Sequence, residues 1–133
     1  MPPTVVIALG SNLGNREWYL RAAIAELGHV IRIVRISQIR ETEPLDAPPP
    51  RYLNCVVAGY TTLPPEALLE QLLAIERRLG RRRPAPRHAP RTIDLDLIFH
   101  DANRRRSRFL TLPHPRYRER EFVMKPLAEV WPE

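Results

Sequence analysis

Apolar and polar positions alternate most cleanly over residues 90–100, PRTIDLDLIFH, where Ile93, Leu95, Leu97 and Phe99 interleave with Asp94, Asp96 and Ile98. A period of two predicts a strand buried on one face. Upstream, the β-branched run from Thr4 to Leu9 reads as a central strand, and Gly10 to Asn15 as a turn with both glycines free to take positive φ. Trp18, Leu20, Ala22, Ile24, Ala25 and Leu27 recur at helical spacing, which predicts a helix from Arg16 to Leu27 capped by Asn12 or Asn15 and stopped at Gly28. Val30 to Ile39 is rich in β-formers and reads as a strand, Glu41 to Arg51 as a proline-dense loop, and Tyr52 to Thr62 as a strand again. Pro64 and Pro65 suit the first turn of a helix whose apolar face, Leu68, Leu69, Leu72, Leu73, Ile75 and Leu79, ends at Gly80. Residues 80–91, GRRRPAPRHAPR, lack a large apolar anchor and form a surface loop. After the Asp-rich strand come a polar connection (His100 to Arg108), a short strand (Phe109 to Leu112), a turn (Pro113 to Pro115) and a helix from Phe122 to Val130.

The resulting order, β-α-β-β-α-β with an appended helix, predicts an α+β fold. Its form is a ferredoxin-like sandwich, a mostly antiparallel sheet with helices packed on it. At 133 residues, without repeats or an evident linker, residues 1–133 are expected to form one domain.

Residues i and i+2 of a strand share a face, so Asp94 and Asp96 point the same way, roughly 7 Å apart. Like charges that close repel, and a folded strand gains nothing from them. Short, hard carboxylates suit Mg²⁺, which binds through one or two of them plus substrate phosphates. The competing reading is a half-buried strand with a solvated polar face.

Charge shifts the balance. Net charge is +6, and Lys125 is the sole lysine among 21 basic residues. Arg77, Arg78, Arg81, Arg82, Arg83, Arg87 and Arg91 crowd around the loop before the Asp-rich strand. Guanidinium forks fit phosphate, so the expected partner is nucleic acid or a small phosphate-rich substrate. No apolar run approaches the ~20 residues of a membrane span, and the start, MPPTVVIALGSN, shows no secretory leader. Cys55, the only cysteine, lies in an apolar run and reads as core, which fits a reducing cytoplasm.

Seven stretches in order, ALGSNLGNRE (8–17), ETEPL (41–45), YLNCVV (52–57), IERRLGRRR (75–83), PRTIDLDLIF (90–99), LPHPR (112–116) and REFVMKPLAEVWP (120–132), resemble the 6-hydroxymethyl-7,8-dihydropterin pyrophosphokinase family. The resemblance implies transfer of pyrophosphate from ATP to a pterin alcohol in folate biosynthesis, with AMP as the second product. It implies two Mg²⁺ ions held by Asp94 and Asp96, and phosphate-stabilising roles for Arg81, Arg91 and, more weakly, Arg83. The pterin would lie against Phe122 and Leu45, bordered by Tyr52, with Asn54 and the backbone around Thr42, Pro44 and Leu45 reading its edge. Glu76, Leu97, Thr111, His114 and Arg120 align with positions near ATP. A monomer acting on small molecules, with no nucleic-acid or membrane partner, is expected.

Singly, each residue has a simpler reading: Phe122 as core packing, His114 as an exposed turn residue, the loop arginines as solvated charges. Asn54 in an apolar strand is unusual, because a buried amide must find partners. An RNA-binding α/β domain would explain the charge. It would not explain two carboxylates within the most basic region, and it lacks an aromatic pair on a central strand for base stacking. A pterin-binding scaffold without activity is the third reading. Leu73, Pro84, His88 and Phe109 depart from residues common near ATP or in the closing loop of the family. The family also continues past position 133 for about one helix and strand; loss of that tail is expected to lower stability more than it alters the metal site.

Overall fold

The computed structural model describes residues 4–42, 51–81, 91–115, 117 and 121–130, in the last helix with side chains from Val123 onward. In order the elements are β1 (Val5–Ser11), α1 (Arg16–Leu27), β2 (Arg32–Ile36), β3 (Arg40–Thr42), β4 (Tyr52–Tyr60), α2 (Pro65–Arg78), β5 (Asp94–His100), β6 (Arg105–Arg106), β7 (Thr111–Leu112) and α3 (Glu121–Val130). The main sheet runs β2-β4-β1-β5, with β3 also paired to β4, and every pairing is antiparallel. Among the described residues no helix is long and apolar enough to cross a membrane.

Alternation gives the sheet two apolar faces. Val5, Ile7 and Leu9 of β1, Cys55 and Val57 of β4, and Leu95 and Leu97 of β5 pack against Leu20, Ala23 and Leu27 of α1 and Leu68, Leu72 and Ile75 of α2. The intervening residues, Val6, Val56, Ala58 and Ile98, meet Val123, Leu127 and Val130 of α3. The appended helix thus covers the second face, but only in part. A register shift between Val6 and Ile7 steps the pairing from Phe99 to Leu97. That bulge is why Ile98 and Phe99 both reach the α3 side, breaking the expected alternation.

Several predicted boundaries move for physical reasons. β1 continues to Ser11, so Gly10 is a strand residue, while Gly14 takes the expected positive φ (75°), as do Gly80 (89°) and Asp101 (54°). The strand expected over Val30 to Ile39 is confined to β2, Arg32–Ile36. Ser37 turns the chain by accepting from Val56 N–H at 2.8 Å through its hydroxyl and donating its own N–H to Val56 O at 2.9 Å. β3 follows, and it claims Glu41 and Thr42 from the predicted loop. The buried stripe of α1 is Leu20, Ala23 and Leu27; Trp18 is exposed, stacked edge-on against Tyr19. Phe109 lies in a turn rather than in β7.

Candidate active site

The second face of the sheet ends in a row of functional side chains beyond the cover of α3. Gly10 of β1 pairs with Asn54 on one side and Asp94 on the other; one step inward Ala8 pairs with Val56 and Asp96. On the far side of β4, Arg40 pairs with Asn54 and Thr42 with Tyr52. Alternation therefore brings Thr42, Tyr52, Asn54, Gly10, Asp94 and Asp96 onto one face at one end of the sheet. Asn54 is buried, and its Nδ2 donates to Thr42 Oγ1, which leaves Oδ1 turned toward Gly10. An added Cβ at Gly10 would stand 2.9 Å from Asn54 Oδ1 and 3.3 Å from the Tyr52 ring.

Around Asp94 the charges interlock. Gly80 ends α2 with positive φ, and Arg81 N–H returns to Glu76 O at 3.0 Å. This folds the Arg81 side chain under the sheet edge, where Nη1 donates to Glu76 Oε2 at 2.6 Å and to Asp94 Oδ1 at 2.7 Å. Burial opposes the Arg81 charge, but the carboxylates of Asp94 and Glu76 outweigh it and hold its pKa above the ordinary value. Glu76, 2% exposed, also accepts the N–H of Leu95 at 2.8 Å, so it ties α2 to the outer edge of β5. Arg91 reaches Asp94 Oδ2 at 3.3 Å and is more open than Arg81, its side chain 28% exposed against 8%.

Arg91 owes its position to Asn12. The Asn12 carboxamide accepts from Arg91 N–H at 2.7 Å, and Asn12 N–H donates to Arg91 O at 3.1 Å. Asn15, not Asn12, caps α1, accepting from Trp18 N–H at 3.1 Å. Sequence reasoning missed Asn12 in this role; the available signal was a carboxamide placed directly after a buried strand. Burial pushes the Tyr52 phenol up, and the charges of Arg91, Asp94, Arg81 and Asp96 act on it as well, so the ring borders the charged cluster.

Beyond β5 the chain returns along its outer edge. His114 N–H donates to Ile98 O at 2.9 Å. Its Nδ1 donates to Pro115 O at 2.8 Å, which turns Nε2 toward Asp96 Oδ1 at 3.8 Å. A cavity of about 230 Å³ opens here, lined by Leu69, Leu95, Asp96 and Leu97, by Ser107 to Thr111, and by His114 and Pro115.

The residues expected around phosphate and metal, Glu76, Arg81, Arg91, Asp94 and Asp96, therefore come together, and Leu97, Thr111 and His114 share the adjoining cavity. Leu97 is a buried core residue that offers the cavity only an apolar wall. Thr42, Tyr52 and Asn54 meet on the other side of Gly10. Pro44, Leu45, Arg83 and Arg120 lie outside the described residues, as do Pro84 and His88; Phe122 belongs to α3, with its side chain outside the description. Asp94 and Asp96 have the chemistry to hold a hard divalent cation. They are oxygen donors on alternate residues of one strand, and no group of three or more His, Cys, Asp or Glu able to hold a metal occurs among the described residues. Such a pair leaves most ligand positions to phosphate oxygens and water, which suits Mg²⁺.

Residues 6–132 match the sequence profile of the family described as 7,8-dihydro-6-hydroxymethylpterin-pyrophosphokinase. Among curated proteins, the 2-amino-4-hydroxy-6-hydroxymethyldihydropteridine pyrophosphokinase of Bacillus subtilis is 43% identical over 127 residues, 93% of this chain and 75% of that protein. The protein of the same name from Synechocystis sp. is 42% identical, over 96% of this chain and 66% of its own length. A folate synthesis bifunctional protein of Arabidopsis thaliana is 41% identical over 95% of this chain, which spans 26% of that longer protein. With the match running through both the Asn54 and the Asp94 sides of the row, the chain belongs to the 7,8-dihydro-6-hydroxymethylpterin-pyrophosphokinase family.

Proposed function

We propose that this chain transfers the terminal pyrophosphoryl group of ATP to the primary alcohol of 6-hydroxymethyl-7,8-dihydropterin in folate biosynthesis. The carrying observation is the row Asn54–Gly10–Asp94. A ring read by Asn54 and a triphosphate drawn to Asp94 and its arginines meet above the one residue that has no side chain. The alcohol oxygen bonds to the β-phosphorus, the bond from that phosphorus to the α,β-bridging oxygen breaks, and AMP leaves with the bonding pair. The hydroxyl proton is released to solvent water, which balances the charge of the two products.

Catalysis of this kind needs positioning and charge neutralisation more than a protein nucleophile. Asn54 Oδ1, held by the bond from Nδ2 to Thr42, accepts from the pterin edge, and Tyr52 borders the ring. Leu45, Pro44 and Phe122 complete the pterin pocket. Arg91, more open than Arg81, meets the phosphate oxygens; Arg81 supports Asp94 and lends its remaining N–H groups, and Arg83 adds charge. Two Mg²⁺ ions, held by Asp94 and Asp96 together with the triphosphate, supply charge neutralisation at the β-phosphorus when bound. Glu76, Leu97, Thr111, His114 and Arg120 serve the nucleotide end.

The strand order β2-β4-β1-β5 supports a ferredoxin-like βαββαβ unit with α3 added on the other face. Residues 1–133 are read as one pyrophosphokinase domain, monomeric and cytoplasmic, in keeping with a lone buried thiol at Cys55. The test is incubation with ATP, MgCl₂ and the pterin alcohol, with the nucleotide products resolved. AMP in equal amount to pterin diphosphate is expected; ADP, or no turnover, would overturn the reading.

A further inference from the structure

The pterin side depends on the shortest strand of the main sheet. β3 has three residues, Arg40–Thr42, and pairs with β4 alone among the described residues. Its last residue, Thr42, accepts the Asn54 Nδ2 bond that leaves Asn54 Oδ1 turned toward Gly10. So short an edge has few ladder bonds, and edges of that kind open readily. A carboxamide released from Thr42 presents nitrogen as easily as oxygen, since its two ends differ only as donor and acceptor.

Two ion-pair clasps hold β3, one on each face. Toward α3, Arg40 pairs with Glu129, which also accepts Gln38 N–H at 2.8 Å. Toward α1, Glu41 sits between two guanidinium groups. Arg16, the first residue of α1, reaches one carboxylate oxygen with Nη2 at 2.9 Å and donates from Nη1 to Arg51 O at 2.9 Å. Arg51 Nη1 lies 3.5 Å from the other oxygen. One arginine thus joins α1, β3 and the residue that leads into β4. The hydrogen bond from Arg16, with the charges of Arg16 and Arg51, holds the Glu41 carboxyl below its ordinary range. In the sheet, β4 and β1 separate this clasp from Asp94.

We propose that Arg16 and Glu41 are positioning residues for the pterin: their clasp keeps β3 on β4, so that Thr42 holds Asn54 with its oxygen toward the ring. This rests on the pterin reading above. Opening of β3 lowers the fraction of molecules able to read the ring and raises the apparent Kd in proportion. An exposed charge cluster shifts such an equilibrium by up to about fivefold. Salt screens the clasp, whereas the pterin alcohol has no net charge, so ionic strength acts on pterin binding through the clasp.

The test is calorimetric binding of the pterin alcohol, with a saturating non-hydrolysable Mg-ATP analogue present, to wild type, Arg16→Met, Glu41→Gln and the double variant. Expected is a roughly fivefold loss of pterin affinity in each single variant, with the double variant within about twofold of them. Affinity for the ATP analogue, measured alone, is expected to stay unchanged. Raising NaCl from about 50 to about 500 mM is expected to weaken pterin binding roughly threefold in wild type and not in Arg16→Met. Substitutions at these partly exposed positions leave the fold intact, which thermal unfolding of each variant checks. Unchanged pterin affinity in Arg16→Met, equal losses for both ligands, or additive losses in the double variant would each overturn the proposal. So would a salt response in Arg16→Met equal to that of wild type. A wild type that binds the ATP analogue and not the pterin alcohol would overturn the pterin reading itself.

Discussion

A Cβ at Gly10 would lie 2.9 Å from Asn54 Oδ1, closer than carbon and oxygen tolerate without displacement. The carboxamide cannot swing away freely, because its Nδ2 is bonded to Thr42, and the added Cβ would also meet the Tyr52 ring at 3.3 Å. Gly10→Ala is therefore expected to raise KM for the pterin about tenfold while ATP affinity changes less than twofold, at a stability cost of about 1–3 kcal/mol. Steady-state kinetics with each substrate varied in turn checks this. An equal effect on both substrates would show that Gly10 serves the strand and not the pterin pocket.

Glu76 is the second prediction. Its carboxylate is 2% exposed and accepts both Arg81 Nη1 and the N–H of Leu95. Glu76→Ala removes one of the two carboxylates that hold the buried Arg81 cation and leaves the Leu95 amide without its acceptor, with an expected loss of about 3 kcal/mol in denaturant unfolding. Glu76→Gln keeps an acceptor for Leu95 N–H and is expected to cost about 1 kcal/mol. Similar losses in the two variants would mean that the charge, and not the hydrogen bonds, dominates.

Much of this was legible in the chain and some was not. The Asp94–Asp96 pair could be read from alternation alone, because the pairing of β5 is unbroken from Asp94 to Leu97 and a period of two fixes the face there. The helices were readable for the same reason, apart from the phase of α1, where Trp18 looked like core and is exposed. What escaped were features decided by cross-strand register. Gly10 in a Gly-Ser-Asn sequence has turn chemistry, and only its pairing with Asn54 and Asp94 makes it a strand residue. Asn12 likewise looked like a helix cap until the fold brought Arg91 beside it. The break at Ser37 was hidden because its hydroxyl satisfies Val56, a residue 19 positions away.

Cys55 gives a pH prediction. Burial pushes its thiol up from 9.0 to about 12. Between those values the unfolded chain has released the proton that the native state still holds, so this group's contribution to stability is whole below pH 9.0 and is lost as pH rises toward about 12. At pH 8 the native thiol stays neutral and shielded. A thiolate-selective aromatic disulfide is expected to label it only across the denaturant unfolding transition; rapid stoichiometric labelling in native buffer would contradict its burial.

The central claim is that one end of the sheet joins a pterin-reading side to a metal-and-phosphate side, with Asp94 and Asp96 carrying the latter. AMP release at saturating Mg-ATP and pterin alcohol by Asp94→Ala and Asp96→Ala, with pterin binding followed in parallel, tests it most directly. Expected is a loss of turnover by orders of magnitude in both variants while the folded protein still binds pterin. AMP release within a few-fold of wild type in either variant would contradict it.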